Sequence, residues 1–149
     1  MARSFPKPTK YTPKNPEKYI GDPSNIVCRS SWERKFAKWA DLHPQVTKWF
    51  SEEMCVEYWS PVDQKTHRYF PDFGMVLSNG KRYVIEIKPY YQCLPPVKGK
   101  KRDKTYLAEC ATYATNQAKW HAAKAFFDKQ GIEFKVLTEK DLYGNNKRK

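Results

Sequence analysis

The sequence predicts an α/β fold, an αβββαβ core whose mixed sheet is flanked by helices. Three observations predict it. Residues 31–42 carry apolar side chains at helical spacing, and residues 67–77 and 82–88 alternate in hydropathy on either side of the turn signal Ser78-Asn79-Gly80. Residues 105–130 form a long helical run stopped by Gly131, followed by a strand pattern at 132–137.

The elements follow in order. Prolines at 6, 8, 13, 16 and 23 prevent a regular helix or central strand in residues 1–25, which read as a basic arm whose aromatics Phe5, Tyr11 and Tyr19 either dock it, the favoured reading, or stack on bases. Residues 26–142 read as one domain and 143–149 as a basic tail, within a chain of 149 residues that is one domain long. In the first helix Trp32, Phe36, Trp39 and Ala40 form the apolar stripe, and Glu33 lies on its margin. Strands are expected at 53–59 and 67–77, separated by Pro61-Val62-Asp63, and then at 82–88. An irregular stretch with Pro95-Pro96 leads into the long helix. There a seam of Ala111, Ala114, Ala118, Ala122 and Ala125 allows close approach to the sheet, Tyr106, Cys110, Tyr113, Trp120 and Phe127 read as core, and Lys119 and Lys124 on the polar side could touch DNA but read rather as solvated. The last strand returns parallel to the third, and Thr138 caps a short final turn.

Composition narrows the function. No apolar run approaches membrane-spanning length and the N-terminus has no signal-peptide pattern, so a soluble, non-secreted protein without a membrane partner is expected. Cys28, Cys55, Cys93 and Cys110 show no C-x-x-C spacing, and His43, His67 and His121 are too scattered for zinc. The net charge is +12, of which +3 lies in residues 1–25, +4 in 98–104 and +3 in Lys147, Arg148 and Lys149. Lys98, Lys100, Lys101, Arg102 and Lys104 form the densest cluster and suit a polyanion such as DNA, held through its phosphates without base readout.

The turn sets the chemistry. Treating Asn79-Gly80 as a two-residue loop would mix apolar and charged side chains on both faces of the hairpin. A three-residue loop with Gly80 in the left-handed position instead pairs Leu77 with Lys81, Met75 with Tyr83 and Phe73 with Ile85. One face is then apolar, and the other sets Asp72 opposite Glu86 with Lys88 on the same strand. Like charges directly opposed on a sheet are destabilising unless a cation lies between them. Hard carboxylate oxygens suit Mg²⁺, with Mn²⁺ as a substitute, and Lys88 beside that cation can orient or deprotonate an attacking water. This is phosphodiester hydrolysis chemistry. Glu33 stays open between two roles, completing the site or closing the capping box of Ser30-Ser31-Trp32-Glu33. Arg29 is either a phosphate contact or a partner for a carboxylate.

With Glu33 on the first helix, Pro71-Asp72 on the second strand and Glu86-x-Lys88 on the third, the order over about residues 26–138 resembles the PD-(D/E)xK nuclease superfamily and its restriction-endonuclease-like core. Within it RSSWERKFAKW, HRYFPDF and YVIEIKP are similar to the nuclease domain of heteromeric transposases. The longer run YTPKNPEKYIGDPSNIVCRSSWERKFAKW resembles the head completion nucleases of T-even-type bacteriophages. The resemblance implies metal binding at Asp72, Glu86 and Ile87, support of the nucleophile by Lys88, and completion of the site by Glu33. It also implies endo- and exonuclease action on packaged DNA before the tail joins the head, head and neck proteins as partners, and a place in the virion or the infected bacterial cytoplasm. Self-association stays open. The competing reading is a structural protein of the head–tail junction that binds DNA without cutting it. A ribosomal-type RNA binder fits the charge but leaves the paired acids unexplained.

Overall fold

The computed structural model describes residues 7–143. In chain order its elements are β1 (Thr9–Tyr11), β2 (Ile26–Cys28), α1 (Ser31–Leu42), β3 (Val46–Ser51), β4 (Val56–Ser60), β5 (Lys65–Tyr69), β6 (Phe73–Leu77), β7 (Arg82–Ile87), α2 (Asp103–Asp128), β8 (Ile132–Leu137) and α3 (Glu139–Tyr143). Strands β3, β6, β7 and β8 lie in that order in one mixed sheet, parallel between β7 and β8 and antiparallel elsewhere. The αβββαβ order and the mixed sheet are as expected, with β1–β2 and β4–β5 as separate two-stranded pieces. Phe5 and the terminal Lys147, Arg148 and Lys149 lie outside the described residues.

Two expected strands are corrected. The first strand of the main sheet is β3 at 46–51, not 53–59, and the run 67–77 is two strands rather than one. A bulge between Val46 and Lys48 sets the buried residues of β3, Val46 and Trp49, three apart, which hides the period of two. Pro71, fully buried, has no N–H to give a ladder and separates β5 from β6. β5 then pairs with β4, while β6 enters the main sheet.

One face of the sheet packs Phe36, Ala37 and Ala40 of α1 against Trp49, Phe73, Ile85 and Ile87. The other packs Ala123 and Phe127 of α2 with Val84 and Ile132, joined by Val56, Tyr58 and Tyr69 of the β4–β5 hairpin. The buried stripe of α1 is rotated from the one expected, because Trp39 is 43% exposed while Asp41 is fully buried. The reason lies in residues 7–25, which fold over that helix. Asp41 accepts hydrogen bonds from the Tyr11 hydroxyl (2.7 Å) and the backbone amides of Lys14 (2.7 Å) and Asn15 (3.0 Å). Tyr11 and Tyr19 dock edge-on against Trp49, with ring centroids 6.1 and 4.8 Å away. In the sheet, a Cβ at Gly74 would lie 1.9 Å from the Phe50 ring, so the glycine is what lets β3 and β6 close over that aromatic.

Candidate active site

The hairpin adopts the expected register. Phe73 pairs with Ile85 and Met75 with Tyr83, the Leu77 amide donates to the Lys81 carbonyl (2.9 Å), and Gly80 takes φ +89°. Asp72 and Glu86 consequently share the α2 side of the sheet. Asp72 Oδ2 accepts the Ile87 backbone N–H (2.8 Å), so Ile87 meets the site through its main chain. The Asp72 carbonyl accepts the Glu52 N–H (3.0 Å), which ties the end of β3 to the start of β6. Glu86 is 6% exposed. Its Oε2 lies 3.6 Å from Lys88 Nζ, and its buried Oε1 has no hydrogen-bond partner among the described residues.

From α1, Ser30 caps the helix by accepting the Glu33 N–H (3.1 Å), and Glu33 Oε1 accepts the Arg29 N–H (2.9 Å). The glutamate therefore closes a cap through one oxygen and still reaches the site. Glu33, Glu52 and Asp72 each bring an oxygen within 4.8 Å of the others. Glu86 is not part of that trio, although it shares a cleft with Glu52, Arg29, Arg68, Tyr69 and Lys119. Arg29 takes the carboxylate role: its Nε and Nη2 donate to Glu52 at 2.9 and 3.1 Å.

Electrostatics matches this crowding. Burial, then the charges of Glu86 and Glu33, hold the Asp72 carboxyl well above its usual range, against the pull of the Ile87 amide and Lys88. Burial also raises Glu86, offset in part by Lys88, and raises Glu33, offset by the Arg29 amide. Such a set lacks a positive charge at its centre. A hard divalent cation fits on two observations: the convergent oxygens of Glu33, Glu52 and Asp72, and the unpartnered, buried Glu86 Oε1.

Glu52, Tyr69, Arg68 and Lys119 also line the site, and none stood out in the sequence as a site residue. Glu52 follows β3, whose bulge concealed it. Lys119 was read as solvated but is half-buried, three residues after buried Asn116 and four before buried Ala123. A lysine on the buried stripe of a helix was the available signal. The basic run does not line this cleft. Lys98 and Lys101 instead pair with Asp103 (3.1 Å) and Glu109 (2.6 Å), on exposed surface at the start of α2.

Residues 43–139 match the family described as TnsA-like endonuclease N terminal. Over 140 residues the chain is 41% identical to the head completion nuclease of Enterobacteria phage T4, covering 89% of this chain and 91% of that one. Glu52, Asp72, Glu86, Lys88 and Lys119 fall inside the family match, and Arg29 and Glu33 precede it.

Proposed function

The chain belongs to the TnsA-like endonuclease N-terminal family, and from that premise we propose that it is a Mg²⁺-dependent deoxyribonuclease, with Mn²⁺ as a substitute, whose centre is Asp72 and Glu86. One observation carries this reading: half-buried Asp72 and buried Glu86 face each other across a hairpin, and Glu86 Oε1 has no hydrogen-bond partner among the described residues. Asp72, Glu86, Glu33 and Glu52 would hold the ion, with the Ile87 backbone as a further candidate. The bound cation would supply Lewis-acid charge at the phosphodiester.

The remaining steps belong to the side chains. Lys88, within 3.6 Å of Glu86, orients the attacking water. Arg29 holds Glu52 by a two-pronged ion pair, which fixes that carboxylate at the cleft. The Ile87 amide holds the Asp72 carboxylate by one backbone hydrogen bond to Oδ2. Lys98, Lys100, Lys101, Arg102 and Lys104 bring the DNA backbone to the molecule without reading its bases.

The likeness to a phage head completion nuclease supports a role in virion assembly. In it the protein trims packaged DNA before head–tail joining, by endonuclease and exonuclease action, beside head and neck proteins in the virion or the infected cell. No helix among the described residues is long and apolar enough to cross a membrane.

Closed circular plasmid provides the test, since it has no ends and reports endonuclease action alone. Nicking is expected with Mg²⁺ and not with EDTA, and Asp72→Ala and Glu86→Ala should each abolish it together with calorimetric Mg²⁺ binding. Normal nicking by either variant overturns this site. DNA binding by the wild type without cleavage in any divalent cation would favour the structural junction role.

A further inference from the structure

We propose that Lys119 binds a backbone phosphate of the DNA in the acidic cleft, and that the β4–β5 hairpin is the device that aims it there. The inference rests on the nuclease reading of the same cleft and names a substrate contact within it.

The hairpin is an addition to the αβββαβ order. Its inward residues, Val56, Tyr58 and Tyr69, pack with α2. Two of those side chains are aromatic, and their rings flank the Lys119 ammonium, 6.0 Å away for Tyr58 and 5.5 Å for Tyr69. Ring faces attract a cation and fix its direction, but they leave its charge unneutralised. Among the described residues Lys119 makes no ion pair, whereas Lys88 has Glu86. The charges of Glu86 and Asp72 favour the charged form of Lys119 from beyond ion-pair distance, so this half-buried lysine, having given up hydration, gains further from an anion that contacts it directly.

The cleft supplies the place for that anion. Glu52, at the end of β3, and Glu86 of β7 line it, Glu33 of α1 and Asp72 converge on Glu52 beside it, and Lys119 and Arg68 enter from α2 and the hairpin, with Arg29 already paired to Glu52. A phosphodiester seated beside a cation held by the acids would present its oxygens to those two basic groups. Tyr69 links the two sets, since its buried hydroxyl lies next to Glu86 and its ring lies against Lys119.

The test compares Lys119→Gln with Lys119→Arg. Anisotropy of a short labelled duplex with Ca²⁺ in place of Mg²⁺, intact strands being verified on a gel, reads DNA binding with the acids neutralised, and calorimetry reads Mg²⁺ binding without DNA. K119Q is expected to weaken duplex binding roughly tenfold, the size of one charge-assisted contact, and to flatten its salt dependence by about one phosphate. K119R should restore both to within about twofold, because charge is what the contact needs. Mg²⁺ affinity should not fall in either variant, since losing a nearby positive charge disfavours no cation. Wild-type duplex affinity and cleavage in K119Q overturn the proposal. So does a loss of Mg²⁺ affinity that arginine does not rescue, the signature of a lysine that only props Glu86. Failure of the wild type to nick plasmid sinks the nuclease reading and leaves the binding comparison intact, so the two failures are told apart.

Discussion

Asp72 and Glu86 repel one another and have lost hydration, so the metal-free protein is less stable for holding both as anions. Asp72→Asn keeps an oxygen to accept the Ile87 amide and removes one charge. It should raise the unfolding free energy of the metal-free protein by about 1 kcal/mol, read from a higher urea midpoint at unchanged slope, while abolishing nicking, the trade-off expected where a site is built against stability. Alkaline pH probes a second set of residues. Burial and the bond to Asp41 raise the Tyr11 hydroxyl, and burial pushes the Cys28 thiol up to about 11 from an ordinary 9.0. Groups raised in the folded state contribute stability that is full below their unfolded pKa and lost as pH climbs to the folded one. Urea midpoints should therefore fall from pH 9 to pH 11, less steeply in Tyr11→Phe or Cys28→Ala than in the wild type. The two kinds of residue differ in legibility. Asp72, Glu86 and Lys88 were readable because one local hairpin carries all three, whereas Asp41 was not, because its partners are backbone amides and a tyrosine about thirty residues away.

Elements were readable where pattern and turn agreed. The β6–β7 register followed from alternating hydropathy and a glycine free to take positive φ, and α1 begins where Ser30 caps it. β3 was not readable, because a bulge breaks its period, and the β4–β5 hairpin was merged into the sheet because nothing local says which partner β5 takes. Tertiary packing decides that pairing: Tyr58 and Tyr69 bury against α2. Gly74 tests how tightly the central pair is fitted. Gly74→Ala places a methyl group inside the Phe50 ring position and should cost about 1–3 kcal/mol in urea unfolding, the range for overpacking. The double variant Gly74→Ala, Phe50→Leu should recover part of that loss, since the clash is with one side chain. Equal stability of Gly74→Ala and the wild type would show that the ring moves freely and does not fix the β3–β6 contact.

Across the molecule, the densest positive charge among the described residues and the acidic cleft occupy different places. The cleft holds Glu52 from the end of β3 and Glu86 from β7, with Glu33 of α1 converging on Glu52 beside it, and the densest cationic run stands at the start of α2, outside it. DNA affinity and catalysis should therefore separate by mutation. Replacing Lys98, Lys100, Lys101, Arg102 and Lys104 with alanine should weaken duplex binding and flatten the slope of log affinity against log salt, while Mg²⁺ binding stays as in the wild type. The size of the change is set by charge already spent within the chain. Five cations face Asp103 and Glu109, which pair with Lys98 and Lys101. Exposed pairs of this kind are weak, yet they still offset two of the five charges locally. At about 0.9 units of slope per phosphate, the loss should be near 2.7 if only three phosphates are neutralised there, and near 4.5 if the pairs open to engage five. A slope unchanged by the replacement would place the DNA path elsewhere, on Arg29, Arg68 and Lys119 around the cleft itself.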